Sequence, residues 1–215
     1  MKYSAVIFDW DGTLGMTLHI WMDAYKSGLK NLGIELPDEV IIRDFFYEHN
    51  KTAAKYPNID IDLYVENVRK YMVSHVPFMK LYEGVHETLE KLQKNNITLT
   101  LVSSSPRKLI EEVLELTELT KYFKAISGFD DIMKHKPDPA PFLYIIEVAK
   151  LDPKTTIIIG DSPHDITAAK AAGLDSCLFL PSDNKIFYDF DQILKTNPNY
   201  SVQSLEAFAE LILNS

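Results

Sequence analysis

The sequence lacks three features that would each indicate a particular class of protein. It has one cysteine among 215 residues, Cys177, so no internal disulfide can form and a reducing compartment is expected. No apolar run approaches the roughly 20 residues that a membrane span needs, so we expect no membrane association. No charged leader precedes an apolar segment at the N-terminus, so we expect no signal peptide and a cytoplasmic location.

Basic residues are also in deficit. The chain has 22 Lys and Arg against 31 Asp and Glu, and its net charge is −9. That balance argues against nucleic acid as a partner, and it suits a protein that gathers divalent cations or one that is merely soluble. Hydrophobic residues make up 46% of the chain, so a packed interior is expected, and 215 residues are enough for one large domain or for a core with a smaller appendage.

The most informative stretch is a short apolar run, residues 5–8, that ends at two acidic residues. The run is typical of a buried strand. Asp9 and Asp11 are two residues apart and therefore project to the same side, while Trp10 points away. Two such charges are costly unless a cation neutralises them, and ligands bind at the carboxyl ends of parallel strands. These residues predict a Mg²⁺ site, with a simple Asp-Gly turn at Gly12 as the alternative.

Three helices without an intervening strand follow this first strand. Apolar residues recur at helical spacing over residues 17–32, from Pro37 onwards, and over 60–75. The polar stretch 50–59 is typical of a loop. This pattern predicts a helical module of about 65 residues, within the size range of a small domain.

Strands and helices alternate from residue 82 onwards. Four predicted strands are separated by amphipathic helices, and they cover residues 97–102, 125–127, 156–159 and 176–180. Together with the first strand they predict an α/β fold with a parallel five-stranded sheet covered on both faces. The predicted core comprises residues 1–15 and 81–215, and residues 16–80 form the inserted module. Residues 182–200 match no clear pattern.

Polar clusters follow several of these strands, and in a parallel sheet such clusters meet at one edge. They are Ser103-Ser104-Ser105 after the second strand and Gly160-Asp161-Ser162-Pro163-His164-Asp165 after the fourth. We expect Ser105 to cap the helix that begins at Pro106. Lys134 and Lys136 follow the third strand, and their spacing alone does not decide which of them joins the site.

Taken together, these clusters resemble the motifs of the haloacid dehalogenase superfamily. The matching segments are Asp9-Trp10-Asp11-Gly12-Thr13-Leu14, Leu101-Val102-Ser103-Ser104-Ser105, Lys136-Pro137-Asp138-Pro139 and Gly160-Asp161-Ser162-Pro163-His164-Asp165. The resemblance is to the branch of phosphoglycolate phosphatases and β-phosphoglucomutases. It implies a Rossmann-like core with an α-helical cap domain inserted after the first strand.

The resemblance also implies residue roles. Asp9 would attack phosphorus and become an aspartyl-phosphate, and Asp11 would act as general acid and base. Mg²⁺ would bind the Asp9 carboxylate, the Asp11 backbone carbonyl and Asp161, which are hard oxygen ligands. Asp165 would hold a metal-bound water or another group of the site, or cap the helix that starts beside it.

A second group of residues would bind the phosphate. The resemblance implies hydrogen bonds to the phosphoryl group from Ser103 and Ser104, and Thr13 would support the two aspartates. The Lys-Pro dipeptide of the family selects Lys136 as the residue that neutralises phosphate charge.

The resemblance therefore predicts a Mg²⁺-dependent phosphomonoester hydrolase acting on a small phosphorylated metabolite. Two alternatives stay open at this point. One is a phosphosugar mutase of the β-phosphoglucomutase type, and the other is a non-catalytic phosphate-binding module on the same fold. We expect no nucleic-acid or membrane partner, and a monomer or a weak homodimer.

Overall fold

The computed structural model describes residues 1–46, 52, 55–56 and 59–215, and it confirms an α/β fold built on a parallel sheet. The strands are β1 Ala5–Phe8, β2 Thr98–Val102, β3 Phe123–Ser127, β4 Thr156–Gly160, β5 Asp175–Phe179 and β6 Tyr200–Val202. They lie in the order β3-β2-β1-β4-β5-β6, and every neighbouring pair is parallel.

Within the described part of the chain the sheet has six strands, so the prediction of five was wrong. The additional strand, β6, pairs with β5 through Cys177 and Tyr200. It begins at the end of the stretch 182–200 that matched no pattern. Only three residues form it, and of these only Val202 is buried. A strand this short offers neither an apolar run nor an alternation that the sequence could reveal.

The strand order reverses beside β1, which lies at the centre of the sheet. Phe8 at the end of β1 is level with Leu101 of β2 and Ile159 of β4. The chain therefore leaves these three strands at the same edge. In open α/β sheets, ligands bind at such a reversal, outside the carboxyl ends of the strands.

The described residues form two compact units, 1–16 with 80–215 and 17–79. The smaller unit contains α1 (Leu18–Lys30), α2 (Asp38–Phe45) and α3 (Ile61–His75). Gly28 of α1 faces α3 so closely that a Cβ atom would lie 2.8 Å from Cγ2 of Val68. The predicted loop 50–59 lies largely outside the described residues. The assignment of these units as a catalytic core and a cap domain stays a prediction.

The larger unit contains the other described α-helices. They are α4 (Val85–Lys94), α5 (Arg107–Leu116), α6 (Ala140–Ala149), α7 (Pro163–Ala171), α8 (Phe190–Leu194) and α9 (Leu205–Asn214). Phe142 and Ile145 of α6 pack on Ile7 and Ile158 in the core. None of the helices in the described ranges has the length and apolarity needed to cross a bilayer.

Candidate active site

The turn after β1 orients the two aspartates. The strand ladder continues to Asp9, whose backbone N–H donates to the carbonyl of Ile159 (3.0 Å). Gly12 has a φ of +76°, a left-handed conformation that favours glycine. Its N–H donates to the carbonyl of Gly15 (2.9 Å) and closes the turn. As a result Asp9 is buried, while the side chain of Asp11 stays partly exposed.

Lys136 joins Asp9 to Asp165. Its Nζ lies 2.6 Å from Oδ1 of Asp9 and 2.6 Å from Oδ1 of Asp165, and its side chain is 5% exposed. Thr13 Oγ1 donates to the other oxygen of Asp9 (3.3 Å). Lys134, by contrast, is 71% exposed and lies 3.4 Å from Asp138. Of the two lysines that the sequence left open, the structure therefore brings Lys136 into the cluster.

Three buried carboxylates converge at this edge of the sheet. One ligand oxygen from each of Asp9, Asp161 and Asp165 lies within 4.8 Å of the other two. Asp161 follows β4, directly beside β1. Hard oxygen donors at this spacing are suited to Mg²⁺, which binds through a few carboxylates and keeps water molecules and substrate oxygens as its other ligands. The donor set therefore fits the predicted metal.

The charges of this cluster do not balance. Burial raises the pKa of Asp9 to about 7; Lys136 opposes the rise, and the charges of Asp165 and Asp11 add to it. Burial, together with repulsion from Asp9 and Asp165, raises the pKa of Asp161 well above its usual value. Burial lowers the pKa of Lys136, but the two carboxylates raise it overall, so this side chain stays protonated. One lysine faces three carboxylates, so the ionised form of all three is costly unless a further cation is present.

Asp165 is held by the start of α7. Ser162 is the N-cap residue of this helix. Its N–H donates to the side chain of Asp165, and the N–H of Asp165 donates to the side chain of Ser162, so the two residues form a reciprocal capping box. A Cβ atom on Gly160 would lie 2.4 Å from Cγ of Asp165, so only glycine lets this carboxylate fold back onto the end of β4. Asp165 thus completes the capping box as the third helical residue and also binds Lys136, and a role toward metal-bound water stays a prediction.

Two serines bind the side chain of Asp11. Ser105 Oγ donates to Asp11 Oδ2 (2.8 Å), and Ser103 Oγ lies 3.4 Å from the same oxygen. Ser103 Oγ also accepts the backbone N–H of Ser105 (3.0 Å). The prediction that Ser105 caps α5 was wrong: the N-cap residue is Pro106, and the N–H of Arg107 at the start of the helix donates to the carboxylate of Asp130 (2.7 Å). The hydroxyl of Ser105 is directed to Asp11 instead. Ser104 is exposed beside them.

Asn184 and Tyr82 also reach the site, although neither has a recognisable signal in the sequence. Asn184 is buried in a 3₁₀ turn, Ser182–Ile186, within the stretch that matched no pattern. Its amide bonds to the carbonyl of Gly12 and to Asp161, and it accepts a hydrogen bond from Tyr82. In the sequence, an asparagine after Pro181-Ser182-Asp183 does not indicate this contact. Nor does Tyr82, which lies just after the predicted boundary between residues 80 and 81.

The raised pKa of Asp161 predicts a pH dependence of stability without metal. An acid whose pKa is raised on folding stabilises the fold at pH values below its pKa in the unfolded chain, which is near 4. That contribution is lost as the pH rises through the pKa of Asp161 in the folded protein. In chelator, Asp161→Asn should therefore match the wild type near pH 4 and unfold several degrees higher near pH 8. Thermal unfolding across this range checks it. A variant that is less stable than the wild type at both ends of the range would contradict the electrostatic assignment.

Comparison with known proteins gives consistent matches. The family model described as haloacid dehalogenase-like hydrolase matches residues 6–179. A protein of Caldanaerobacter subterraneus subsp. tengcongensis, provisionally named pyrophosphatase PpaX, is 30% identical over 99% of this chain and 96% of its own. The phosphoglycolate phosphatase of Aquifex aeolicus is 31% identical, and the match covers 81% of this chain and 84% of that protein. A Thermotoga maritima structure provisionally assigned as β-phosphoglucomutase is 25% identical and has a TM-score of 0.75. The match covers 98% of this chain and 97% of that one.

Proposed function

Because the chain belongs to the haloacid dehalogenase-like hydrolases and is an enzyme of the phosphatase type, we propose that it hydrolyses a small phosphomonoester through an aspartyl-phosphate with Mg²⁺. The observation that carries this proposal is the buried contact of Asp9 with Lys136 inside a three-carboxylate cluster. It lies where the strand order reverses, which is the usual ligand position in such sheets.

Asp9 is the proposed nucleophile. One of its carboxylate oxygens bonds to phosphorus as the bond from phosphorus to the ester oxygen breaks, and the electron pair leaves with that oxygen. Lys136 and Thr13 each contact one oxygen of Asp9, and these contacts restrict its rotation. The ammonium group of Lys136 also offers hydrogen atoms to a phosphoryl oxygen beside Asp9, where developing charge needs stabilisation.

Asp11 is the proposed proton carrier. It donates a proton to the leaving alkoxide and later accepts one from the water that attacks the aspartyl-phosphate. This second attack forms a bond from water oxygen to phosphorus, breaks the bond from phosphorus to Asp9, and releases inorganic phosphate. The hydrogen bond from Ser105 and the contact with Ser103 support this role, because they orient the Asp11 carboxylate at the edge of the site.

Mg²⁺ would be held by the Asp9 carboxylate, the Asp11 backbone carbonyl and Asp161. When bound, it would neutralise charge on the carboxylates and on the phosphoryl oxygens. We propose that Asp165 acts next to this ion by fixing Lys136, and that Ser103 and Ser104 bind the phosphoryl group at the end of β2.

The names of the relatives suggest which substrates to test first. We propose a small anionic phosphate compound as substrate and the cytoplasm as location. Phosphate release from p-nitrophenyl phosphate, phosphoglycolate, pyrophosphate and a metabolite panel should require Mg²⁺ and stop with chelator. Activity that persists unchanged in chelator, or no activity on any compound while Mg²⁺ still binds, would contradict the proposal; the second result would favour a non-catalytic phosphate-binding module.

A phosphosugar mutase is the second candidate, favoured by the likeness to the Thermotoga maritima structure. In a mutase, the second attack on phosphorus comes from a sugar hydroxyl and not from water. Incubation with a sugar 1-phosphate separates the two functions. Release of inorganic phosphate is expected for a hydrolase, whereas a bisphosphate intermediate and a sugar 6-phosphate are expected for a mutase.

A further inference from the structure

One buried amide connects the two elements that would hold the metal. Asn184 is 1% exposed. Its Nδ2 donates to the backbone carbonyl of Gly12 (2.9 Å) and to Oδ2 of Asp161 (3.3 Å), so both amide hydrogens are used. Gly12 directly follows Asp11, and Asp161 directly follows β4. A single side chain therefore spans the turn after β1 and the end of the neighbouring strand.

Tyr82 determines which way this amide points. Its hydroxyl donates to Oδ1 of Asn184, so the NH₂ group must face Gly12 and Asp161. Tyr82 is itself held in place, because its backbone N–H donates to the carbonyl of Leu14 (3.0 Å) and its ring packs edge-on against Phe179, with centroids 5.3 Å apart. All three bonds of the amide therefore involve partners that are fixed by the fold.

We propose that Asn184, oriented by Tyr82, is a positioning residue for the metal site. This inference rests on the proposed Mg²⁺-dependent function. Asn184 directs the Asp161 carboxylate toward the cluster, and through Gly12 it fixes the backbone that carries the Asp11 carbonyl. An aliphatic residue at this position would leave the buried Gly12 carbonyl without this donor, and an aspartate would repel Asp161. Groups that orient metal ligands in this way contribute substantially to metal affinity.

The test measures Mg²⁺ affinity without substrate, from the rise in Tm as MgCl₂ is titrated into the 215-residue chain. In Asn184→Ala, the Mg²⁺ concentration for half-saturation of the site, which is the Kd fitted to that rise, should increase about 10- to 100-fold. In Tyr82→Phe it should rise by a smaller factor. Asn199→Ala is the matched control. The Asn199 amide donates to the carboxylate of Asp175 (3.0 Å) and accepts the backbone N–H of Ser176 (3.0 Å). It therefore makes similar bonds at the start of β5, whereas Asn184 follows the end of that strand.

The outcomes separate a positioning role from a merely structural one. A lower Tm with an unchanged Mg²⁺ half-saturation in Asn184→Ala, as is expected for Asn199→Ala, would overturn the inference while the proposed function stands. If Asn184→Ala does not fold, Tyr82→Phe decides, and a half-saturation equal to that of the wild type overturns the inference. A wild type that Mg²⁺ does not stabilise at all would overturn the proposed function and the inference together.

Discussion

Replacement of Asp9 by asparagine should lower Mg²⁺-dependent phosphate release at least about a thousand-fold. An amide oxygen is a poor nucleophile toward phosphorus, and among the described residues Asp9 is the carboxylate that contacts both Lys136 and Thr13. The fold should persist, because the substitution removes one of three like charges that crowd the cluster. Thermal unfolding in chelator should therefore show a Tm at or above that of the wild type.

Asp191→Asn is the matched control for this experiment. It makes the same chemical change at an exposed position on α8, so we expect activity within a few-fold of the wild type. An Asp9→Asn variant that retains wild-type turnover would contradict the assignment of Asp9. Loss of activity together with loss of the folded state would instead point to a structural role for this carboxylate.

Replacement of Lys136 by methionine should be the most destabilising single change at the site. Lys136 is almost fully buried and makes two ion pairs of 2.6 Å, so its removal leaves Asp9 and Asp165 buried without their cation. Removal of one partner from a buried pair costs about 3–5 kcal/mol. For a chain of this size that corresponds to a fall of roughly 10 °C in Tm. Activity should fall as well, because the phosphoryl group loses a positive partner.

Lys134→Met provides the comparison for this prediction. Lys134 lies two residues away, is 71% exposed and pairs with Asp138 at 3.4 Å. Such surface pairs contribute about 1 kcal/mol or less, so Tm should shift by no more than a few degrees. If both variants lose similar stability, or if Lys136→Met is as active as the wild type, the assignment of Lys136 is wrong.

The fold was predictable wherever burial leaves a local mark on the sequence. β1 and β4 are buried on both faces and therefore form continuous apolar runs, and their polar ends identified the edge of the site. β6 left no such mark, because it is three residues long and mostly unburied. Its place in the sheet depends on pairing with β5, which is a tertiary contact.

The candidate site was predictable only in part, for the same reason. Asp9 and Asp161 follow strands directly and Asp11 is two residues after Asp9, so their convergence could be inferred from topology. The choice between Lys134 and Lys136 required the family resemblance, because the difference in their burial arises from the fold. Asn184 was missed, since its partners are distant in sequence. Ser105 was misassigned because a serine before proline is also a common helix cap.

The most direct test of the central claim is whether a phosphoryl group becomes attached to Asp9. Enzyme mixed with Mg²⁺ and a hydrolysed substrate should be quenched in acid within the first turnover, digested and analysed by mass spectrometry. We predict a phosphoryl increment on the peptide that contains Asp9, and its absence in Asp9→Asn. Rapid turnover with no increment on that peptide, or with an increment on a different residue, would contradict the account.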